Sequence, residues 1–178
     1  QETEGTRAFL RRNLGDRFAL ALFGERERTT TDSQYYLGTD LGDTLTWDRY
    51  RAAGELRIAL SVKTQMVGGG EQEWYRYPRL PERDGDSTLA YGGFRTDETA
   101  LISGRAEIGY LKYQTKLRGD EFGGPAYNLG LTMTRSSLLV DVSGRRAIEF
   151  SFDPGRGFYV SNGLDVYSIL RFATIWEG

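Results

Sequence analysis

The chain of 178 residues contains neither cysteine nor histidine. Without cysteine it can form no disulfide framework and no thiolate metal site. Without histidine it lacks a common zinc ligand, the ordinary general base near neutral pH, and the Ser-His and Cys-His nucleophile pairs. We therefore expect a protein that is not an enzyme and that holds no metal or other cofactor.

Long apolar runs are also missing. Only 39% of the residues are hydrophobic, and no run approaches the roughly 20 residues that a membrane helix needs. This pattern excludes a helical membrane protein but not a β-barrel, whose strands are apolar on one face only. The formal net charge of -2 provides no bulk attraction to nucleic acid, so no nucleic-acid partner is expected.

Lysine is scarce, because every cation other than Lys63, Lys112 and Lys116 is an arginine. Arginine pairs bidentately with carboxylates, which suits ladders of ion pairs inside a polar lumen. A bias toward arginine codons would explain the same composition, so both interpretations stay open.

Segments with a period of two residues recur along the chain and predict a single all-β domain, 1–178, of antiparallel strands. The segment LISGRAEIGYLKY, residues 101–113, shows the pattern best: it is apolar along one face and carries Arg105 and Glu107 on the other. About ten strands are predicted, at residues 3–13, 17–29, 45–59, 63–77, 87–96, 101–115, 124–134, 138–152, 157–168 and 171–177.

Short and long predicted connections alternate strictly, so the tight turns fall at one end of the sheet and the long loops at the other. Outer-membrane barrels show this arrangement, with short periplasmic turns and longer extracellular loops. Aromatic residues gather near the long-loop end, as in an interfacial girdle, although cross-strand pairing in a soluble sheet also favours aromatics. The short connections are Leu14–Asp16, Leu60–Val62, Asp97–Ala100, Arg135–Ser137 and a turn around Leu170; the long ones are Thr30–Thr44, Pro78–Asp86, Lys116–Gly123 and Asp153–Gly157.

Three motifs in the second half of the chain carry a family resemblance. They are Ser103-Gly104-Arg105, the Phe-Gly-Gly-Pro loop that precedes Tyr127, and Val142-Ser143-Gly144-Arg145. Together they resemble the outer-membrane β-barrel porins of Gram-negative bacteria that are associated with exopolysaccharide export. The resemblance covers about residues 95–170 and consists of strand patterns, not catalytic signatures.

The resemblance implies an antiparallel up-and-down transmembrane β-barrel in the bacterial outer membrane, with membrane lipid as a partner and a role in polysaccharide transport. Members of this family are usually much longer. We therefore expect either a fragment of a larger barrel or a shortened relative that closes with about ten strands. A homo-oligomer in which several copies complete one barrel is a further hypothesis.

Carboxylates are the main candidates for chemistry. Glu25 with Glu27, and Glu71 with Glu73, share a strand face, and paired acids perform glycoside hydrolysis when two oppose each other. The same spacing recurs over any charged β surface, so a solvated or lumenal wall is the preferred interpretation. The acidic stretches 40–43 and 84–86 lack the ligand count of a calcium loop and are interpreted as turns.

Within a barrel, one row of charges would project into the lumen and set which solutes pass. We predict a passive conduit that favours small anionic solutes or an acidic polysaccharide. Three alternatives stay open: a lumen plugged by mutually neutralising charges, a non-conducting structural or adhesive barrel that presents its long loops, and a soluble β-barrel that binds a ligand inside. The predicted lumen-lining residues are Arg49, Arg51, Glu55, Arg57, Arg105, Glu107, Asp141, Arg145, Glu149 and Asp165.

Overall fold

A computed structural model describes residues 2–32, 35–36, 39–40, 42, 46–96, 102–116, 119–135, 138–150 and 158–170. Nearly all of them lie in β-strands, so the all-β prediction is confirmed. The strands are β1 (Glu2–Asn13), β2 (Phe18–Thr30), β3 (Tyr35–Tyr36), β4 (Thr39–Asp40), β5 (Trp47–Ala59), β6 (Thr64–Arg76), β7 (Gly85–Thr96), β8 (Ile102–Thr115), β9 (Glu121–Arg135), β10 (Leu138–Phe150) and β11 (Phe158–Leu170).

Nine long strands form one antiparallel sheet in the order β1-β2-β5-β6-β7-β8-β9-β10-β11, and β3 and β4 pair separately. Each long strand pairs with the next long strand along the chain, which confirms the up-and-down arrangement. The sheet is not closed into a barrel, because β1 and β11 are its two edges. The predicted barrel of about ten strands is therefore an open nine-stranded sheet over the described residues.

Several boundaries differ from the sequence prediction. β9 begins at Glu121, so the Phe-Gly-Gly-Pro segment, which was predicted to be a loop, lies in a strand and pairs with β8. β11 continues to Leu170, where a turn was expected, and the predicted strand 171–177 lies outside the described residues. Among the connections that are fully described, 14–17 and 60–63 at one end of the sheet are shorter than 77–84 at the other end. The predicted turn Asp97–Ala100 and loop Asp153–Gly157 fall outside the described residues.

The pairing register divides the sheet into two faces of opposite character, because directly paired residues lie on the same face. The apolar face carries Leu10, Phe18, Leu20, Leu22, Tyr50, Leu56, Met66, Phe94, Ile102, Ile108, Tyr110, Leu164, Val166 and Leu170. The charged face carries Glu25, Arg51, Glu55, Arg95, Glu107 and Arg145, together with the residues in register with them.

The charged face is the buried one. Val67, Leu111 and Tyr113 lie on it and are 2%, 8% and 1% exposed, whereas Ile108 and Val166 on the apolar face are 74% and 68% exposed. A sheet that folds by burying apolar surface from water has the opposite arrangement. This molecule is therefore apolar outside and polar inside.

The glycine run Gly68-Gly69-Gly70 lies within β6 and makes room for a side chain of the next strand. Gly69 lies beneath the ring of Tyr91, whose hydroxyl oxygen is only 2.9 Å from where a Cβ of residue 69 would stand. The absence of a side chain lets that hydroxyl donate a hydrogen bond of 2.8 Å to Glu55. A side chain at position 69 would displace the ring and break this contact.

Gly104 gives a local test of the fold. Its φ is 124°, and a Cβ there would collide with the carbonyl oxygen of Gly130 on the neighbouring strand. Gly104→Ala should therefore lower the free energy of unfolding by about 1–3 kcal/mol. The control is Gly163→Ala, because nothing lies within 4 Å of its Cβ position. Denaturation midpoints would check the difference, and equal midpoints would contradict the assigned geometry at Gly104.

Candidate functional site on the charged face

The register places all ten predicted lumen-lining residues on the charged face. They come from β5, β8, β10 and β11, and the intervening strands connect them in register. Arg57, Glu107 and Arg145 fall in one row across the sheet, as do Arg105 and Asp165. Their lumenal role stays a prediction, but the sheet does bring them onto one surface.

Glu55 is the centre of one ion-pair network. Its two carboxylate oxygens accept hydrogen bonds of 2.8 and 2.6 Å from the guanidinium group of Arg95, and a third of 2.6 Å from Arg57 Nε. Arg95 also donates to Glu107 at 2.7 Å, so one arginine links carboxylates on β5 and β8. Charge-assisted hydrogen bonds of this bidentate kind are among the strongest in proteins.

A second network lies nearer the long-loop end of the face. Arg49 and Arg51 lie between carboxylates on β2 and β6, and the side chain of Glu25 is only 4% exposed. Arg49 contacts Glu27 at 2.5 Å, and Arg51 contacts Glu71. The two acid pairs that had glycosidase spacing in the sequence are therefore bound to arginines. This supports the interpretation that these acids belong to a charged wall and are not paired catalytic acids.

Two further acids on the face contact hydroxyl groups. Asp141 accepts a hydrogen bond of 2.8 Å from Thr132, and Glu149 accepts one of 2.6 Å from Tyr159. Over the described residues no cluster of three or more potential metal ligands occurs. The acids at 84 and 86 serve structure, since Asp84 accepts a hydrogen bond from the Tyr77 amide and Asp86 pairs with Arg76.

The charged face encloses a cavity of about 450 Å³. Its lining includes Arg49 and Arg51 on β5 and Arg145 on β10. Five strand spacings separate β5 from β10, which in a flat sheet would be about 24 Å. One cavity can be lined by both strands only because the sheet curls, with the charged face on the inside of the curve.

The long-loop end of the charged face is covered. The Tyr113 ring, 1% exposed, lies edge-on to Phe158 of β11 with 4.8 Å between the ring centroids. The 77–84 connection folds onto the same end, where the Lys116 amide donates to the Asp84 carbonyl at 2.8 Å. Burial there raises the pKa of the Tyr77 hydroxyl above its usual range.

Sequence reasoning missed several members of the networks. Arg95 and Tyr91 were not among the predicted lumen-lining residues, because the alternation over 87–96 was unclear. The signal was present: Tyr91, Gly93 and Arg95 alternate with Ala90, Gly92 and Phe94. What the sequence could not show is that Arg95 reaches past β6 to Glu55.

No family model, curated protein or solved structure matches the chain in comparisons with known proteins. The resemblance to outer-membrane porins therefore stays a prediction. Among the described residues, no helix is long and apolar enough to cross a membrane.

Proposed function

We propose that the chain forms the wall of an outer-membrane β-barrel and acts as a passive conduit that favours anionic solutes, with an acidic polysaccharide as the largest candidate. The apolar face contacts lipid and the charged face lines a wet interior. One observation carries the proposal: the sheet buries its ion pairs and exposes its large apolar side chains.

The energetics of the apolar face support lipid as its surroundings. Moving a large apolar side chain fully out of water stabilises it by about 1.5–3 kcal/mol. Each exposed side chain of this face is already partly shielded from water. Together they would gain on the order of 10 kcal/mol of transfer free energy on moving from water into lipid. Contiguous exposed apolar patches of this kind mark interaction surfaces in soluble proteins as well, but a surface that covers one whole face of a sheet suits a bilayer best.

Strand lengths agree with a membrane span. β1, β2 and β5 to β11 each contain 12 to 15 residues. A tilted strand needs about 9–11 residues to cross the hydrocarbon layer, so each of these strands is long enough. Tyr50 and Tyr110 lie on the apolar face toward the long-loop end and are exposed, as expected of residues at the lipid headgroups.

The proposal requires the two sheet edges to pair in the membrane, because an unpaired backbone group in hydrocarbon costs several kcal/mol. With nine strands in an up-and-down order, β1 and β11 run in the same direction. Direct closure would therefore create one parallel pair, whereas closure through an odd number of further strands keeps every pair antiparallel. Pairing between copies would make the protein a homo-oligomer, which cross-linking in detergent or liposomes would detect.

Conductance tests the conduit. Refolded protein in a planar bilayer should show discrete conductance steps, and the reversal potential in a salt gradient should indicate anion preference. Neutralising two arginines of the charged face, in Arg51→Gln/Arg57→Gln, should reduce that preference, because their carboxylate partners Glu71 and Glu55 would lose a compensating charge and the interior would become more negative.

Two results would contradict the proposal, one from the conductance recordings and one from the behaviour of the protein without detergent. Folded, membrane-inserted protein that passes no current would exclude passive transport and leave a structural or adhesive barrel. Folded protein that stays monodisperse without detergent would contradict the membrane wall itself and favour a soluble ligand-binding sheet.

A further inference from the structure

The arginines around the cavity fall into two groups. On one wall, Arg51 and Arg95 each contact carboxylates at hydrogen-bond distance. On the other wall, Arg105 and Arg145 line the same cavity but form no ion pair with any acid of the described residues. The positive charge of the first wall is compensated inside the protein, and that of the second is not.

Arg105 is exposed and lies beside another arginine. It is directly opposite Arg95 in the β7–β8 register, and like charges in that position repel. Arg95 is held by Glu55 and Glu107, which leaves Arg105 without an acidic partner within the described part of the chain. Its aliphatic stem and Nε lie 3.9 Å from the place of a Cβ on Gly130, so the side chain extends across β9 toward β10.

The nearby acids are engaged elsewhere or lie too far away. Glu107 accepts hydrogen bonds from Arg95 and Asn128, and Asp141 accepts one from Thr132. Glu149 attracts Arg145 electrostatically but is not within ion-pair distance of it. Asp165, in the same register row as Arg105, likewise forms no ion pair with it in the described structure.

Part of the cavity floor is made of small residues. Gly109 and Ala126 are adjacent in register one row beyond Arg145, line the cavity and contribute little side-chain bulk to it. A volume of about 450 Å³ lies within the range of small-molecule sites. Asn128 lies on β9, between the strands of Arg105 and Arg145 and directly opposite Arg145 in register; it also lines the cavity and adds a neutral polar amide.

We propose that Arg105 and Arg145, with Asn128 between them, bind an oxyanion: the phosphate, sulfate or carboxylate group of a solute in the cavity. Guanidinium groups recognise such groups through two parallel hydrogen bonds, and two of them on one wall suit a group with several acceptor oxygens. This inference deepens the proposed function and rests on it for the solute's route, since it names the anionic group that the interior selects.

Binding can be measured without any conduction. Isothermal titration calorimetry of folded protein in detergent would use inorganic pyrophosphate, sulfate and glucuronate as separate probes. Arg105→Gln/Arg145→Gln should weaken binding of the best probe by about tenfold or more. The ranking of the three probes distinguishes phosphate, sulfate and carboxylate as the preferred group.

A charge-matched control separates a site from bulk charge. Arg7→Gln/Arg26→Gln removes two arginines that pair with Glu25 and Asp48 and that do not line the cavity. It should change binding by less than about twofold. Arg105→Lys, which keeps the charge but not the two parallel hydrogen bonds, should give an intermediate loss.

Equal losses in the two double variants, or no saturable binding of any probe, would overturn the inference. Binding that depends on Arg105 and Arg145 in a protein that passes no current would support the site and refute the conduit. Anion-selective conductance without site-specific binding would do the reverse.

Discussion

Ile108→Arg should sharply reduce the fraction of protein that inserts into lipid bilayers. Ile108 is 74% exposed at the middle of the apolar face. An arginine on the lipid side of a barrel costs about 2–4 kcal/mol near the bilayer midplane, which corresponds to a loss of roughly 30-fold to several hundredfold in the insertion equilibrium. Floating liposomes on a density gradient and assaying the heat-resistant folded band on gels would measure insertion.

The matched control adds the same residue to the other face. Ser143 lies on the charged face in register with Gly130 and Asp165, and its side chain makes no hydrogen bond recorded among the described residues. Ser143→Arg should insert normally, because its guanidinium would face the wet interior. If the sheet is instead soluble, the expected effect of the first substitution is different: Ile108→Arg would leave folding unchanged and improve solubility. That outcome would contradict the proposed membrane wall.

Glu55→Gln should lower the free energy of unfolding by about 3 kcal/mol. Glu55 is 7% exposed and accepts hydrogen bonds from Arg57, Tyr91 and Arg95. An amide of nearly the same shape keeps the packing but removes the negative charge, so two partly buried guanidinium groups lose their shared partner. Equilibrium urea unfolding of the liposome-inserted protein would measure the change.

An exposed ion pair provides the comparison. Lys112 Nζ and Glu121 Oε1 are 3.1 Å apart, and both side chains are more than half exposed. Exposed pairs contribute about 0–1 kcal/mol, so Glu121→Gln should have little effect on stability. If the two substitutions changed the urea midpoint equally, the Glu55 network would not be the stabilising element that its geometry indicates.

The two faces of the sheet could be predicted from sequence because strand alternation is local. Successive side chains point to opposite sides, so the separation of Ile108 from Glu107 follows from the chain itself. That is why all ten predicted lumen-lining residues lie on one face. Closure could not be predicted in this way, because it depends on pairing between strands far apart in the chain; β1 and β11 are the edges of the described sheet.

The ion-pair partners could not be predicted, because they depend on register and on which side chains are small. Glu55 binds Arg57 of its own strand, but it also binds Arg95 from two strands away. The Tyr91 hydroxyl reaches Glu55 as well, over Gly69, which has no side chain to block it. A pattern within one strand has no information about the reach of an arginine on another.

The sequence by itself determined the strands, their order and the two-sided character of the sheet, because β periodicity and turn residues act over a few neighbouring positions. Only the tertiary structure decided which face is enclosed and which arginines keep uncompensated charge. Enclosure depends on the curl that brings Arg51 and Arg145 to one cavity. Arg105 keeps an uncompensated charge because Glu107 is bound by Arg95. That contact joins two neighbouring strands, so the pattern along one strand does not specify it.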